Sequence, residues 1–384
     1  MISPGRKSVN ENPLRRLQAF GQSVWLDYIE RRLIESGGLQ RLIDEDGLGG
    51  VTTNPSIFDK AVEGSDAYDE SIRQAAGKGM SVEEIYRLIT TEDVRNAADL
   101  FRHVYDELDG RDGFVSLEVN PHLAHDLSGT MDEAPGLWAA LHRPNVFIKV
   151  PATMEGLQCI RKLIADGINV NVTLLFGLKR YRMVAEAYIS GLEDRAAAGL
   201  PIDRVASVAS FFLSRIDVLV DELLEKFIPR GEKLALRLRG RTAISCARIA
   251  YRTYREIFEG ERFLSLARLG ARTQRVLWAS TSTKNPAYSD TKYVEALIGR
   301  DTVNTMPMET LDAYRDHGDP ALRLEQDIDE AYDNLHRLAE LGVDMDRIAG
   351  QLEDEGIDKF NKPYDSLMAS LEKKRRASCL PEAC

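Results

Sequence analysis

Two short apolar segments, Val146-Phe-Ile-Lys-Val150 and Asn169-Val-Asn-Val-Thr-Leu174, indicate the fold class of this chain. In the second segment polar residues alternate with aliphatic ones, and in the first Lys149 shares a face with Phe147. A third segment, Val115-Ser-Leu-Glu-Val119, alternates in the same way. Successive side chains of a strand point to opposite faces. Each segment therefore predicts a strand with one apolar and one polar face.

Two architectures explain strands of this kind. In an antiparallel sandwich the polar face meets water, whereas in a barrel wrapped by helices the polar face points into the interior. Eight such runs alternate with charged segments of helical period, which favours the barrel. We therefore predict a single (β/α)8 TIM barrel with additional C-terminal helices from Glu309 to about Lys374. The runs are Val24 to Tyr28, Gly50 to Ser56, Val115 to Val119, Val146 to Pro151, Asn169 to Leu175, Ser207 to Ser214, Arg275 to Thr281 and Thr302 to Pro307.

The composition limits the domain count and the class of partner. No Pro/Gly/Ser-rich linker divides the 384 residues, so we expect one barrel domain with its C-terminal extension over residues 12–374. Residues 1–11 and 375–384 are expected to be flexible tails. A net charge of −11 argues against nucleic acid or an anionic membrane as the main partner. A small anionic metabolite remains compatible, because a few local cations suffice to bind it.

Cysteine and histidine usage excludes several kinds of site. The four cysteines are too few and too scattered for a disulfide framework or a zinc site, and the six histidines have no metal-binding spacing. The first residues lack the apolar segment of a signal peptide and no run approaches bilayer length, so we expect a reducing cytoplasm. Cys379 and Cys384 could form a redox-responsive bridge, but two free thiols are the simpler interpretation.

The polar strand faces predict a pocket in the barrel interior that contains Glu118, Lys149, Asn171 and Thr173. A lysine in an apolar strand is rare, and burial disfavours the charged form of an amine. An uncharged amine attacks a carbonyl to form a Schiff base. Glu118 could shuttle protons in that step, directly or through water. A purely structural Lys–Glu ion pair is the alternative interpretation.

Further candidates lie where the predicted strands end. Asp27 could accept a hydroxyl proton when a carbon–carbon bond breaks, although aspartates at strand ends often cap turns or helices. Arg215 and Lys284 could bind phosphate, because barrel active sites lie at the C-terminal ends of the strands, and Ser210 could add a hydroxyl donor. Solvated surface charges are the alternative. No nucleotide-binding glycine motif occurs, and we expect neither a cofactor nor a metal.

An ordered set of short motifs runs along the chain. The motifs are Trp25-Leu-Asp27, Val51-Thr-Thr-Asn-Pro-Ser56, Ser116-Leu-Glu-Val119, Ile148-Lys-Val-Pro-Ala-Thr153, Asn169-Val-Asn-Val-Thr-Leu-Leu-Phe176, Ala209-Ser-Phe-Phe-Leu-Ser-Arg215, Asn304-Thr-Met-Pro307 and Asp358-Lys-Phe-Asn-Lys-Pro-Tyr-Asp365. Together they resemble the transaldolase family, specifically its longer bacterial type. The resemblance covers nearly the whole chain, from about Asn12 to Leu371.

The resemblance implies class I Schiff-base chemistry in the non-oxidative pentose phosphate pathway. A dihydroxyacetone unit would pass from sedoheptulose 7-phosphate to glyceraldehyde 3-phosphate, giving erythrose 4-phosphate and fructose 6-phosphate. By position in the motifs, Lys149 resembles the Schiff-base lysine and Glu118 the acid/base that works through water. Asp27 resembles the proton acceptor in carbon–carbon cleavage, and Thr173 would help to position the water.

The resemblance also implies the residues that bind substrate. Asn54 and Asn171 would hold hydroxyls of the dihydroxyacetone unit, while Ser210 and Arg215 would bind phosphate. Lys284 stands where the shorter transaldolases have a second phosphate-binding arginine, which keeps the charge but loses the bidentate fork.

Two other positions depart from the shorter transaldolases. Those proteins have Ser-Pro-Phe where this chain has Ser210-Phe-Phe212, and an aspartate after Glu-Val where this chain has Asn120. Neither departure removes a residue to which the chemistry is assigned.

Two other functions are alternatives to transfer. An aldolase of the same superfamily would release free dihydroxyacetone, and it would use the same imine lysine. A barrel without catalysis, acting as a scaffold, would have lost Lys149 or its partners, and none is lost. The expected partners are small sugar phosphates, and the sequence leaves a monomer and a homodimer both open.

Overall fold

Eight parallel strands close into a barrel in the computed structural model, which describes residues 12–227 and 233–379. Each strand pairs with the next along the chain, and β8 pairs with β1. The predicted (β/α)8 barrel is thereby confirmed. The strands are β1 Gln22–Asp27, β2 Gly50–Thr52, β3 Phe114–Glu118, β4 Val146–Pro151, β5 Val170–Leu175, β6 Ser207–Phe212, β7 Arg275–Ala279 and β8 Thr302–Met306.

Helices surround the strands and extend beyond the last one. Helix α1 Pro13–Ala19 precedes β1. Those between the strands are α2 Arg31–Glu35, α3 Gly38–Asp46, α4 Pro55–Glu63, α5 Asp69–Gly77, α6 Val82–Leu100, α7 Arg102–Glu107, a short 3-10 helix Pro121–Leu123, α8 Leu127–Leu141, α9 Met154–Ala165, α10 Leu178–Ala197, α11 Ser214–Glu225, α12 Lys233–Leu238, α13 Thr242–Phe258, α14 Glu261–Ala267 and α15 Lys292–Glu295. After β8 come α16 Met308–His317, α17 Ile328–Glu340 and α18 Met345–Cys379.

The helical extension ends later than the sequence indicates. Helix α18 continues to Cys379 rather than stopping near residue 374. Leu367 and Leu371 are fully buried on its inner face, so the helix is fixed by packing well beyond the cavity. Residues 1–11 and 380–384 lie outside the described residues. The flexible first tail therefore stays a prediction, and so does the preference for two free thiols at Cys379 and Cys384 over a bridge.

Strand β2 is shorter than the sequence pattern suggests. It ends at Thr52, whereas the apolar run was expected to continue as strand to Ser56. Helix α4 begins at Pro55, and the Asn54 side chain accepts a hydrogen bond from the backbone N–H of Ile57 at 3.1 Å. An asparagine N-cap followed by proline is a strong helix start, and it overrides the extended pattern.

An aromatic layer fills the barrel interior below the polar residues. The rings of Phe114 and Phe147 stack with centroids 4.3 Å apart, and Trp25 lies 6.1 Å from Phe147. Gly50 leaves room for Trp25, because a Cβ at this position would lie 2.7 Å from the indole ring. Interiors of eight-stranded barrels are filled by side chains in this way. Trp25, Phe114 and Phe147 therefore form an aromatic floor beneath the polar residues, and this floor excludes water.

Helix α18 passes over the C-terminal end of the barrel. A Cβ added at Gly356 would lie 3.0 Å from Leu174 Cδ2, so the helix approaches the end of β5 closely. Leu174 itself has a φ of 55° at a break in the β5–β6 register. Irregular strand ends of this kind occur next to active sites, where they redirect a side chain. No helix among residues 12–227 and 233–379 is long and apolar enough to cross a membrane.

Candidate active site

Three of the candidate residues lie side by side across adjacent strands. Glu118 of β3 is in register with Lys149 of β4, and Lys149 is in register with Asn171 of β5. All three side chains share the polar interior face that strand alternation predicts. Parallel pairing therefore brings together a carboxylate, an amine and an amide that are distant in sequence.

Lys149 is buried and fully engaged. Its Nζ lies 2.6 Å from Glu118 Oε1, and the two side chains are only 5% and 6% exposed. The same Nζ donates a hydrogen bond of 2.7 Å to the backbone carbonyl of Thr53. A buried ammonium is tolerated only when it is paired and hydrogen-bonded, and both conditions are met. These two contacts fix the position of the amine in the barrel interior.

Burial raises the pKa of the Glu118 carboxyl, and the positive charge of Lys149 opposes that rise. The hydroxyl of Thr53 donates to Glu118 Oε2 at 2.6 Å, which stabilises the carboxylate further. A carboxyl with a raised pKa next to an amine is suited to exchange protons with it. Thr53 therefore holds both partners, one through its carbonyl and the other through its hydroxyl.

Asp27 lies at the end of β1, directly opposite Thr52 of β2. The Thr52 hydroxyl donates to Asp27 Oδ1 at 2.7 Å, and it also lies 2.7 Å from the hydroxyl of Thr305. Burial raises the pKa of the Asp27 carboxyl, while the charge of Lys149 and the bond from Thr52 lower it. The negative charge of Glu309 raises this pKa as well. Asp27 is therefore a carboxyl group with a raised pKa that lies close enough to Lys149 to interact with its charge.

The polar residues of β5 and β6 form a hydrogen-bonded group. Asn171 Nδ2 donates to the Ser116 hydroxyl at 3.0 Å, and the Ser210 hydroxyl donates to Asn171 Oδ1 at 2.7 Å. Thr173 differs, because its buried Oγ1 has no hydrogen-bond partner among the described residues. A buried hydroxyl without a protein partner is a place for a water or a ligand hydroxyl.

The cationic side chains lie nearer the mouth of the barrel. The guanidinium carbon of Arg215 lies 5.6 Å from the centroid of the Phe212 ring, and burial lowers the pKa of this arginine. Its Nη1 is buried and makes no hydrogen bond within the described part of the chain. Lys284 is exposed and donates to the Ser282 hydroxyl. A buried guanidinium N–H without a protein partner is suited to an oxyanion such as a phosphate group, whose oxygens accept hydrogen bonds from the planar fork of an arginine.

One cavity of about 320 Å³ collects most of these side chains. It is lined by the predicted residues Asp27, Asn54, Lys149, Thr173, Ser210, Arg215 and Lys284. Glu118 and Asn171 are not on its wall, and each contacts a wall residue from behind. The wall thus combines a carboxylate, an amine and hydroxyls with the cations Arg215 and Lys284, which suits a polyhydroxylated substrate with an anionic group.

Sequence reasoning gave no role to several residues that the structure brings to this site. Thr52 and Thr53 fell within a quoted motif, but strand parity does not reveal that the hydroxyl of Thr53, beyond the end of β2, donates to Glu118 or that its backbone carbonyl accepts from Lys149. Glu309, Lys359 and Phe360 also line the cavity. Among residues 12–227 and 233–379, no group of three or more His, Cys, Asp or Glu side chains could hold a metal ion.

Comparison with known proteins identifies the family of this chain. The family model "Transaldolase/Fructose-6-phosphate aldolase" matches residues 24–371. The chain belongs to the transaldolase/fructose-6-phosphate aldolase family. Its similarity to individual transaldolases extends over nearly all of the chain.

Three relatives illustrate that similarity. A protein named transaldolase from Trichodesmium erythraeum is 46% identical over 370 residues, which cover 94% of this chain and 97% of the relative. Transaldolase 1 from Streptomyces coelicolor is 47% identical, with 97% of each chain covered. The transaldolase from Thermobifida fusca is 48% identical, covering 93% of this chain and 96% of its own. The match includes the barrel and most of helix α18.

Proposed function

We propose that this protein is a transaldolase, which transfers a dihydroxyacetone unit between sugar phosphates through an imine on Lys149. The donor would be sedoheptulose 7-phosphate and the acceptor glyceraldehyde 3-phosphate, with erythrose 4-phosphate and fructose 6-phosphate as products. The observation that carries the proposal is the buried Lys149–Glu118 pair at a cavity that also contains Asp27 and Arg215.

The first step is formation of the imine. Lys149 passes a proton to Glu118, and the neutral Nζ attacks the ketone carbonyl to give a carbinolamine. Glu118 returns its proton, through a water held at Thr173, to the departing hydroxyl, and water leaves. The 2.6 Å contact between Nζ and Oε1 and the partnerless Thr173 hydroxyl support these roles.

The second step breaks the bond between C3 and C4 of the donor. Asp27 accepts the proton of the C4 hydroxyl, the aldehyde leaves, and the bond electrons remain as an enamine conjugated to the nitrogen of Lys149. The acceptor aldehyde then adds to the enamine, and the same steps run in reverse. The upward shift of the Asp27 pKa supports this role, because a base must also return its proton.

The remaining residues would hold the substrate. Asn54 would contact hydroxyls of the dihydroxyacetone unit. Asn171, which lies behind the cavity wall, would act on those hydroxyls through Ser210, whose side chain it orients. Arg215, Ser210 and Lys284 would bind the phosphate, with Arg215 Nη1 offering a buried donor that has no partner among the described residues. We propose that these steps take place in a reducing cytoplasm, as part of the pentose phosphate pathway. The free, buried thiols of Cys159 and Cys246 support the reducing environment.

Transfer and aldol release differ in the fate of the enamine. Phe360 and Lys359 of α18 lie on the wall of the cavity, and this cover favours an enamine that persists until an aldehyde arrives. The test supplies fructose 6-phosphate without and then with erythrose 4-phosphate. We expect sedoheptulose 7-phosphate only with the acceptor, and little free dihydroxyacetone in either case. Steady release of dihydroxyacetone without acceptor would instead identify an aldolase.

A further inference from the structure

The motif Asp358-Lys-Phe-Asn-Lys-Pro-Tyr-Asp365 has no role in the chemistry above, yet it reaches the cavity. It lies in helix α18, and its side chains Lys359 and Phe360 form part of the cavity wall. Phe360 is buried, whereas Lys359 is half exposed at 53%. A charged side chain on the wall of a sugar-phosphate cavity is in a position to contact the substrate.

Helix α18 is held firmly enough to make Lys359 part of a preformed site. Before the motif, Glu353 pairs with Arg180 of α10 at 3.1 Å. Within the motif, Asp365 lies 2.7 Å from His122, in the segment that follows β3. These ties lie on either side of Lys359. The position of its backbone is therefore set by the fold.

Lys359 has an acidic neighbour on its own helix. Glu355, one turn earlier on α18, accepts a hydrogen bond of 3.1 Å from Lys359 Nζ. The same carboxylate accepts a hydrogen bond of 2.9 Å from Gln351. The hydrogen bonds from Gln351 and Lys359 lower the Glu355 pKa, and the more distant charge of Arg215 adds to that effect. Glu355 itself is not on the cavity wall, whereas Lys359 lines the cavity together with Arg215 and Lys284.

We propose that Lys359 is a third phosphate-binding cation of this site and that Glu355 is the anion that phosphate displaces. This inference rests on the proposed function, because it assumes a sugar phosphate as the substrate. A phosphate dianion between Arg215, Lys284 and Lys359 replaces the single charge of Glu355 with two and supplies more acceptor oxygens. Lysine at position 284 lacks the fork of an arginine, and Lys359 supplies a further donor.

A purely local role for Lys359 makes a different prediction. Glu355 and Lys359 are separated by four residues on a helix, and exposed pairs of this kind contribute little to stability. If the pair is only a surface ion pair of the helix, removing Lys359 changes no half-saturating substrate concentration. If Lys359 binds phosphate, its removal affects phosphorylated ligands and spares ligands without phosphate.

The experiment compares Lys359→Met with Lys362→Met, an exposed lysine one turn away in the same motif. Borohydride trapping, followed by intact mass, gives the half-saturating concentration for fructose 6-phosphate and for dihydroxyacetone, which has no phosphate. We expect Lys359→Met to raise the value for fructose 6-phosphate about tenfold, at the lower end for a charged hydrogen bond. The value for dihydroxyacetone, and both values in Lys362→Met, should match the wild type. Equal values for fructose 6-phosphate in Lys359→Met and the wild type would overturn the proposal.

A second variant tests the displaced anion. Glu355→Gln should bind inorganic phosphate severalfold more tightly by calorimetry, whereas Lys359→Met should bind it about tenfold more weakly. Weaker binding in Glu355→Gln would contradict the displacement. Phosphate binding is measured without any reaction, so it separates the two proposals. If the wild type traps no sugar but its phosphate binding depends on Lys359, the reaction is wrong and the phosphate site stands.

Discussion

Replacing Lys149 with methionine should destabilise the protein in a way that depends on pH. The variant leaves Glu118, 6% exposed, without the cation that lies 2.6 Å away in the wild type. Breaking a buried ion pair from one side costs about 3–5 kcal/mol. The Thr53 hydroxyl still donates to Glu118, so we expect a loss of about 3 kcal/mol in the free energy of unfolding at pH 8.

The pH dependence follows from the Glu118 carboxyl. Burial raises its pKa in the folded protein, and removing Lys149 removes the charge that opposes this rise. A carboxyl with a higher pKa in the folded than in the unfolded state favours folding at low pH. The penalty is therefore absent below the unfolded pKa of about 4.3 and grows as pH rises toward the folded pKa. The loss should be smaller at pH 5 than at pH 8.

Urea unfolding, monitored by the fluorescence of the buried Trp25 and Trp278, provides the measurement at the two pH values. The double variant Lys149→Met/Glu118→Gln is the control, because a glutamine oxygen still accepts from Thr53 and carries no charge. It should recover most of the lost stability at pH 8. A loss below about 1 kcal/mol for Lys149→Met, equal at both pH values, would refute the reasoning that this pair is buried and mutually dependent.

Three further predictions concern the carboxylate chemistry and the barrel floor. Asp27→Asn should lower the rate of fructose 6-phosphate cleavage by about 10²–10⁴-fold and leave imine trapping with dihydroxyacetone intact, and cleavage within a few fold of the wild type would contradict its role as the base. Thr52→Val removes a hydrogen bond that lowers the Asp27 pKa, so a pH–rate profile should lose activity on acidification at a higher pH than in the wild type. If activity is lost at the same pH in the variant and the wild type, Thr52 does not influence the Asp27 pKa. Gly50→Ala places a Cβ 2.6 Å from the Phe114 carbonyl oxygen and should lower the free energy of unfolding, measured by calorimetry, by about 1–3 kcal/mol. The control Gly136→Ala adds a Cβ with nothing within 4 Å, so it should be neutral or stabilising. Equal melting temperatures of the two variants would argue against tight packing around Gly50.

The fold and the centre of the site were predictable because strand alternation has a strict period of two. That period alone predicts that Glu118, Lys149, Asn171 and Thr173 point to the barrel interior. It also placed the aromatic residue Phe147 on the same face as Lys149, and Phe147 forms part of the floor. The alternation thus indicates which residues form the polar layer, and it puts Phe147 of the layer beneath on the same face.

What the sequence did not predict depends on contacts between distant segments. The Thr53 carbonyl that accepts from Lys149 is a backbone atom, and no side-chain pattern marks it. The sequence pattern predicts that the strand from Gly50 continues to Ser56, because Asn54 fits the polar positions of an alternating strand. In the structure Asn54 is instead the N-cap of helix α4. Lys359 lies on an exposed helical position, and only the path of α18 over the barrel mouth brings it to the cavity.

The most direct test of the proposed chemistry is to identify the nucleophile. The protein is incubated with fructose 6-phosphate and borohydride, and intact mass and peptide mapping follow, with Lys149→Ala as the matched control. The proposal predicts one reduced dihydroxyacetone adduct per chain, located on Lys149 and absent from the variant. An adduct on another lysine, or none on wild-type protein that is demonstrably folded, would contradict Schiff-base catalysis by Lys149.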